Sequence, residues 1–398
     1  MNINMSNGVI VAHPGRQHSH QLALSIYKVG LLKKYCSSIP ARRGIYCLIP
    51  KKFWKNYDYY DLDIPTEYLN YYLFMGTVLN KCVAKFTRRD FYKYIENIML
   101  DHFDSCIATH LYKMKAKVII AYENASQHTF KSAARLGMVK ILDAASVHYT
   151  FQDQYSKLIE SSKLHKQIIK KKEEEIQYAD IILTTSQFAR QTYLNAGILP
   201  QKVIAIPLGV DLLRFKPLSQ EFNSRNFVRF VFCGTYSHHK GLDLLLSAYQ
   251  KIRNFDIEFE LVLVGNMSVK LSLGKDKKSI YQLGKLSQQE FAAVLQNSDC
   301  LILPSRYDSF GMVVLEALAC GLPVIVSDAV GAKEAVSEGI NGWIISSNDV
   351  ELLVERMLWC INNPKKVRDM GKAARISAQE YSWDSYQKKI INLIREML

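Results

Sequence analysis

The stretch PSRYDSFGMVVLEALACGLPVIVSD, Pro304 to Asp328, decides the fold. An apolar run ends at Leu303, and the polar loop that follows breaks it. From Phe310-Gly311 the apolar positions take helical spacing, with Val313, Leu315 and Leu318 beside a single acid, Glu316. Gly321 stops that helix, and Pro323 opens a second strand-like run. Strands that are apolar without alternation, joined through a helix, predict a parallel sheet covered on both faces.

The same alternation spreads in both directions. Downstream come GAKEAVSEG as a short helix, NGWII as a strand, DVELLVERMLWCIN as a helix and an amphipathic end, YSWDSYQKKIINLIREML. Upstream, VRFVFCG, EFELVLVG and DCLILPS read as strands, with KGLDLLLSAYQKI and SQQEFAAVLQNS as helices. Ser287 with Glu290 three residues on is a capping-box signature. The first half carries strand signals in GVIVAH, IYCLI, SCIATHLY, AKVIIAY, VKILDAAS, ADIILTTS and KVIAIPLG. Helices are expected over HQLALSIYKVGLLKKY, around residues 76–101, over the charged piece from Tyr155 to Gln177, and over QFARQTYLNAG. A chain of 398 residues is long for one core. The Gly- and Pro-bearing PLGVDLLRFKP, Pro207 to Pro217, marks a boundary, giving domains 1–208 and 209–375 and a closing helix in 376–398.

Charge is lopsided. Residues 1–208 hold 28 Lys and Arg against 16 Asp and Glu, whereas residues 209–398 hold 23 against 21. Basic residues cluster at 51–55, 81–93, 113–117 and 163–172, near the aromatic-rich YDYYDLDIPTEYLNYYLF. That mixture suits anionic lipid headgroups, and an ordinary solvated basic face fits it too. No nucleic-acid-binding motif is present, so no nucleic-acid partner is expected. No apolar stretch approaches the roughly 20 residues of a membrane span, and the start lacks a basic leader. The expectation is a cytoplasmic protein, with peripheral contact at the cytoplasmic face of the inner membrane as a further option. The eight cysteines are scattered without a CxxC pair and read as free thiols. Asp61-Leu62-Asp63 spells DxD in an insertion rather than at a strand end, and no cluster has metal-ligand spacing, so no metal is expected.

Open α/β sheets bind ligands beyond the carboxyl ends of their strands. Asp308 and Glu316 fall there. The helix start at Phe310, Gly311 and Met312 offers free amides and a positive dipole end to phosphate oxygens, and Glu316 could accept from a vicinal diol such as a ribose. Read blandly, Asp308 caps the helix and Glu316 is solvated. In FCGTYSHHKGLDLLL, Lys240 stands at a helix start, a poor local choice that an anion would make sensible, with His238 and His239 near enough to assist. VAHPGRQHSH places Gly15 in a tight loop after a strand, with Arg16, His18 and His20 as polar candidates, but it is not GxGxxG. His148 follows another strand end and is a candidate short-range donor. Glu123 and Asn124, after VIIAY, are placed to bind acceptor hydroxyls.

Together, ADIILTTSQFARQTYLNAGILPQKVIAIPLGVDLLRFKP, FCGTYSHHKGLDLLL and PSRYDSFGMVVLEALACGLPVIVSDAVGAKEAV resemble the retaining glycosyltransferases of family 4, over nearly the whole chain. The resemblance implies the GT-B fold: two facing Rossmann-like domains, an acceptor domain in 1–208, a nucleotide-sugar domain in 209–375 and a last helix crossing back to the first. The family's E-x7-E acids fall on Asp308, shortened from Glu, and Glu316. They imply contact with donor-sugar hydroxyls and with the ribose. Lys240 matches the phosphate lysine, while the usual arginine partner falls at Thr235, so one positive charge is missing, with His238, His239 or Arg16 as substitutes. His148 is similar to the histidine near the reacting sugar, and Gly15 to the glycine-rich loop, with Pro14 replacing its second glycine. Lys285 and Leu286 would lie beside the base.

The reaction implied is transfer of a hexose-type sugar from a UDP- or GDP-sugar to a hydroxyl of a glycan or lipid-linked acceptor. The anomeric configuration would be retained, with no metal and no enzymic nucleophile, in bacterial surface polysaccharide or lipopolysaccharide synthesis. A non-catalytic sugar-nucleotide-binding or membrane scaffold protein is the alternative, and a phosphorylase, an epimerase or a dehydrogenase fits less well.

Overall fold

Runs such as Gly8–Ala12 and Cys300–Leu303 have no polar face to turn toward water, and the computed structural model buries them in the middle of parallel sheets. It describes residues 6–15, 17–39, 63–72, 89–155, 163–218, 225–235, 237–253, 255, 257–266 and 279–398. The chain divides into two units. Unit 1 takes in Met1–Thr184, Arg190–Ile206 and Gln387–Leu398, and unit 2 takes in Thr185–Ala189 and Pro207–Tyr386.

Along unit 1 run β1 (Ser6–His13), α1 (Ser19–Lys28), β2 (Leu32–Ser37), β3 (Leu69–Tyr71), α2 (Arg89–Met114), β4 (Ala116–Tyr122), α3 (Gln127–Arg135) and β5 (Val139–Ala144). After them come α4 (Tyr149–Asp153), α5 (Lys163–Tyr178), β6 (Ile181–Thr184), α6 (Gln187–Asn195), whose first turn groups with unit 2, and β7 (Val203–Ala205). The seven strands order as β3-β2-β1-β4-β5-β6-β7, every pair parallel. Strand order therefore reverses between β1 and β4, where Val11 lies opposite Ile120. The core gathers Ile10, Ala12, Ile119, Leu142 and Ile182 from the strands with Phe103, Ile107, Phe130 and Tyr193 from the helices.

Unit 2 repeats the plan with β8 (Val228–Cys233), α7 (Leu242–Arg253), β9 (Phe259–Val264), β10 (Ile280–Gly284), α8 (Gln288–Gln296), β11 (Cys300–Leu303), α9 (Met312–Ala319), β12 (Val324–Ser327) and β13 (Gly342–Ile345). Helices α10 (Val350–Asn362), α11 (Pro364–Asp369), α12 (Gly371–Glu380) and α13 (Trp383–Met397) close the chain. Its sheet orders as β10-β9-β8-β11-β12-β13, again all parallel, and reverses between β8 and β11. Helix α13 begins in unit 2, and from Gln387 its residues group with unit 1, where Gln387 bonds Gln21 and Lys28.

Two expectations are corrected. The helix read over HQLALSIYKVGLLKKY ends at Lys28, because Gly30 takes φ +72 and turns the chain into β2, whose Leu32, Tyr35 and Cys36 are buried. SCIATHLY is not a strand but the interior of α2: Phe103, Ile107 and Leu111 recur every fourth residue and are all buried, so the helical period wins. GAKEAVSEG forms a 3-10 turn, Gly331–Ala335, and IYCLI lies outside the described residues. Edge strands β3 and β10 carry no continuous apolar run; in β10 Tyr281 and Leu283 are exposed. Among the described residues the six cysteines are free, and no helix is long and apolar enough to cross a membrane.

Candidate active site

In unit 2 the loops after β8 and β11 leave adjacent strands at the point where the order reverses, which is where this type of sheet makes its ligand crevice. The first loop passes through a 3-10 turn, His238–Lys240, and Gly241 starts α7 with φ +69. A side chain on Gly241 would put its Cβ 2.0 Å from the Pro304 carbonyl oxygen, so the two loops touch only because this residue is glycine. Lys240 Nζ lies 2.5 Å from Asp308 Oδ2, both side chains partly buried. Two residues 68 positions apart in sequence thus form one charged pair.

The loop bearing Asp308 is stitched to the turn after β12: Asp308 N–H donates to the Ala329 carbonyl, and Gly331 N–H to the Asp308 carbonyl. Gly311 then takes φ +84 and begins α9. Its lack of a side chain serves the backbone first, since a Cβ would stand 2.8 Å from Val330 Cγ1. At the start of α9 Val314 N–H donates to the Gly311 carbonyl, and the earlier Met312 and Val313 amides have no intrahelical acceptor. Phe310 is buried, and its N–H reaches toward Asp308 Oδ1 at 3.4 Å. One turn further on, burial pushes the Glu316 carboxyl up to about 7, with the Arg214 charge pulling it partly back.

His239 stacks on Tyr307 at 5.2 Å. Burial and the neighbouring Lys240 hold its imidazole below its usual range despite Asp308, so near neutral pH it offers a hydrogen bond and not a second charge. Thr235 is exposed, as is Lys285 just after β10, while Leu286 is half-buried. Arg306 and Asp243 drew no attention from sequence alone, yet they pair at 2.7 Å directly beside the lysine turn.

The matching end of unit 1 is also polar. His18 Nε2 lies 3.0 Å from both oxygens of Asp143, and both side chains are buried. Burial alone would drive His18 toward neutrality, but the Asp143 charge and hydrogen bond outweigh it and raise the imidazole; the same contact lowers the Asp143 carboxyl against its own burial. Gly15 N–H donates to His13 Nδ1 at 2.9 Å, which leaves the proton on Nε2, a buried atom with no partner among the described residues. Burial pushes His13 down to about 3, and its ring lies 4.0 Å from that of Tyr122. Asp143, an acid inside the apolar run ILDA, was the available signal for this cluster, because a buried carboxylate needs a partner.

Glu123 is buried, accepts from Ser146 Oγ at 2.6 Å and faces Lys172 at 3.7 Å. Asn124 takes φ +65 and its N–H donates to Glu175, while its Oδ1 is buried without a partner among the described residues. His148 is the N-cap of α4: its Nδ1 lies 2.8 Å from Thr150 Oγ1, and burial with the Lys172 charge pushes it down to about 4. His148 also lines a cavity of about 450 Å³ with Tyr149, Gln177, Leu199 and Lys202. Arg16 lies outside the described residues, and His20 bonds the Gln17 carbonyl. Among the described residues no group of three His, Cys, Asp or Glu is placed to hold a metal ion.

Residues 218–377 match the family described as Glycosyl transferases group 1. A GDP-mannose-dependent monoacylated alpha-(1-6)-phosphatidylinositol monomannoside mannosyltransferase of Corynebacterium glutamicum is 26% identical over 237 residues, covering 54% of this chain and 62% of that protein. Aligned stretches span about half the length of the curated relatives the chain matches. Among solved structures, a sucrose-phosphate synthase from Thermosynechococcus elongatus superposes with TM-score 0.72 at 16% identity over 98% of this chain and 99% of that one. The Anabaena protein HepE, solved in complex with UDP, gives TM-score 0.65 at 15% identity over 98% of this chain and 100% of that one. Residues 218–377 are thus similar to the group 1 glycosyl transferases, and the chain has the GT-B fold of two Rossmann-like domains.

Proposed function

We propose that the chain is a retaining glycosyltransferase that moves a hexose-type sugar from a UDP- or GDP-sugar to a hydroxyl of a glycan or lipid-linked acceptor. The observation that carries this reading is the Lys240–Asp308 pair at the reversal point of unit 2's sheet, beside the start of α9. Desolvation offsets much of the attraction in a largely buried ion pair, so a nucleotide diphosphate that supplies its own negative charge opens it. Lys240 then takes the phosphate oxygens, and Asp308 is released to the adjoining sugar hydroxyls. The amides at Gly311 and Met312 complete the anion site, Glu316 accepts from the ribose, and the backbone near Lys285 and Leu286 reads the base. His239 and Thr235 line the same loop as hydrogen-bonding groups.

As the bond to the anomeric carbon lengthens, negative charge grows on the departing diphosphate, and Lys240 with the α9 amides stabilises it. The leaving phosphate takes the acceptor proton as the new bond forms on the same face. On unit 1, Arg16, His18, Glu123 and Asn124 form the acceptor side, Gly15 contributes to donor binding, and His148 is the catalytic short-range donor near the reacting sugar. HepE's complex with UDP and the GDP-mannose dependence of the Corynebacterium relative support a nucleotide-diphosphate donor of either base. A bacterial surface polysaccharide or lipopolysaccharide is the acceptor class we favour.

A panel of UDP- and GDP-sugars screened for protection against thermal unfolding identifies the donor. Transfer is then followed as release of the nucleotide diphosphate, and product stereochemistry reports retention. Lys240→Ala should lower transfer by about 100-fold or more while leaving the fold intact, the usual scale for removing one transition-state donor. Near-normal transfer by that variant overturns the reading. Tight nucleotide-sugar binding with no transfer to any acceptor would favour a binding protein instead.

A further inference from the structure

Three successive residues of the β8–α7 turn are each tied to the β11–α9 loop. The first tie joins the His238 carbonyl oxygen to Arg306 Nη1 at 2.6 Å. Next, the His239 carbonyl accepts the Arg306 N–H at 2.7 Å, and the His239 ring stacks on Tyr307. Third comes Lys240 Nζ on Asp308. Binding of a diphosphate removes only this third tie. The other two hold the lysine where it is.

We infer that Arg306 is a positioning residue for Lys240, with Asp243 as its anchor; this rests on the donor-site reading above. The guanidinium forks onto the carboxylate, Nη1 to Oδ1 at 2.8 Å and Nη2 to Oδ2 at 2.7 Å, and Asp243 lies on the first turn of α7. Both terminal nitrogens are therefore engaged, and the Arg306 side chain is only 9% exposed, so it is not the phosphate cation whose usual place Thr235 fills. Its work is geometric. A planar fork fixes two oxygens and a carbonyl at once, which a lysine ammonium on a flexible stem does not reproduce. Held in this way, the Lys240 turn needs no reorganisation when charge develops on the leaving group. Burial would raise the Asp243 carboxyl, but the Arg306 hydrogen bonds and charge hold it low, so the anchor stays ionised.

The test is a double-mutant cycle on the full chain. Arg306→Lys keeps the charge and loses the fork, and Asp243→Asn, at a largely exposed position, loses the anchoring charge without changing shape. Each is expected to lower kcat by about 10- to 100-fold, the scale of a misplaced catalytic group, with acceptor KM unchanged. In a Lys240→Ala background the same changes should cost less than about 2-fold, because the lysine they serve is gone. Calorimetric binding of UDP and of GDP is read through the same cycle and does not depend on turnover. Equal losses in both backgrounds, or no loss in either variant, overturn the inference. If Lys240→Ala leaves both diphosphates binding as before, the donor-site reading itself falls. If that variant weakens binding and Arg306→Lys does not, only the positioning role falls.

Discussion

Glu316 is a residue of unit 2 whose charge changes near neutral pH. Burial pushes its carboxyl up to about 7, so the unliganded protein holds a mixture of neutral and ionised forms near neutrality. Because the folded value is raised, the neutral form stabilises the fold at acid pH, and that contribution fades as pH climbs through about 7. Under the proposed function donor binding runs the other way, since an ionised Glu316 is the better acceptor for ribose hydroxyls. Donor affinity should therefore improve as pH rises through about 7. Glu316→Gln should weaken it by about 10-fold, the scale of a lost hydrogen bond to a charged group, and flatten the pH dependence. Calorimetric titrations across that interval check both outcomes. In unit 1, His18 is raised and Asp143 lowered by their mutual contact, each against its own burial. Their stabilisation is complete between the unfolded-state values, 3.8 for Asp143 and 6.5 for His18, and it wanes toward each folded value. It is lost as pH rises through that of His18 or falls through that of Asp143. Asp143→Asn should remove the alkaline loss, which denaturant unfolding at a series of pH values measures.

Among elements, the short turn His238–Lys240 with Gly241 and the loop Pro304–Gly311 behave as one piece. Gly241→Ala must strain a backbone at φ +69 and push a Cβ into the Pro304 carbonyl. The expected cost is about 1–3 kcal/mol of stability together with a large loss of transfer, because the two loops can no longer meet. A helix cap away from these loops behaves differently. Asp349 caps α10 by accepting the Leu352 N–H at 2.9 Å. Asp349→Ala should cost about 1 kcal/mol of stability and leave the transfer rate as it was. Thermal unfolding and turnover measured on the same two variants separate a site element from a scaffold element.

At the scale of the whole molecule the charge is uneven, and the fold uses part of it. Lys171 pairs with Asp101, Lys172 with Glu123 and Lys140 with Asp180, whereas Lys163, Lys166 and Lys170 stay exposed along α5. If this basic excess meets an anionic membrane, binding to anionic vesicles should be strong at low salt and fall steeply by about 0.15 M, where the screening length is about 8 Å. Absence of binding at low salt counts against peripheral attachment. The alternation of apolar runs with helical spacing determined, by itself, the two parallel sheets and most of their strands. Burial on both faces leaves continuous apolar runs, a signal that buried helix segments such as SCIATHLY in α2 can mimic. Spacing and family likeness also singled out Lys240, Asp308 and Glu316. Only the tertiary structure decided that Lys240 and Asp308 touch, that Arg306 and Asp243 brace them, and that Asp143 charges His18. These contacts join residues far apart along the chain, brought together by the order of strands in a sheet, and local sequence carries no record of that order.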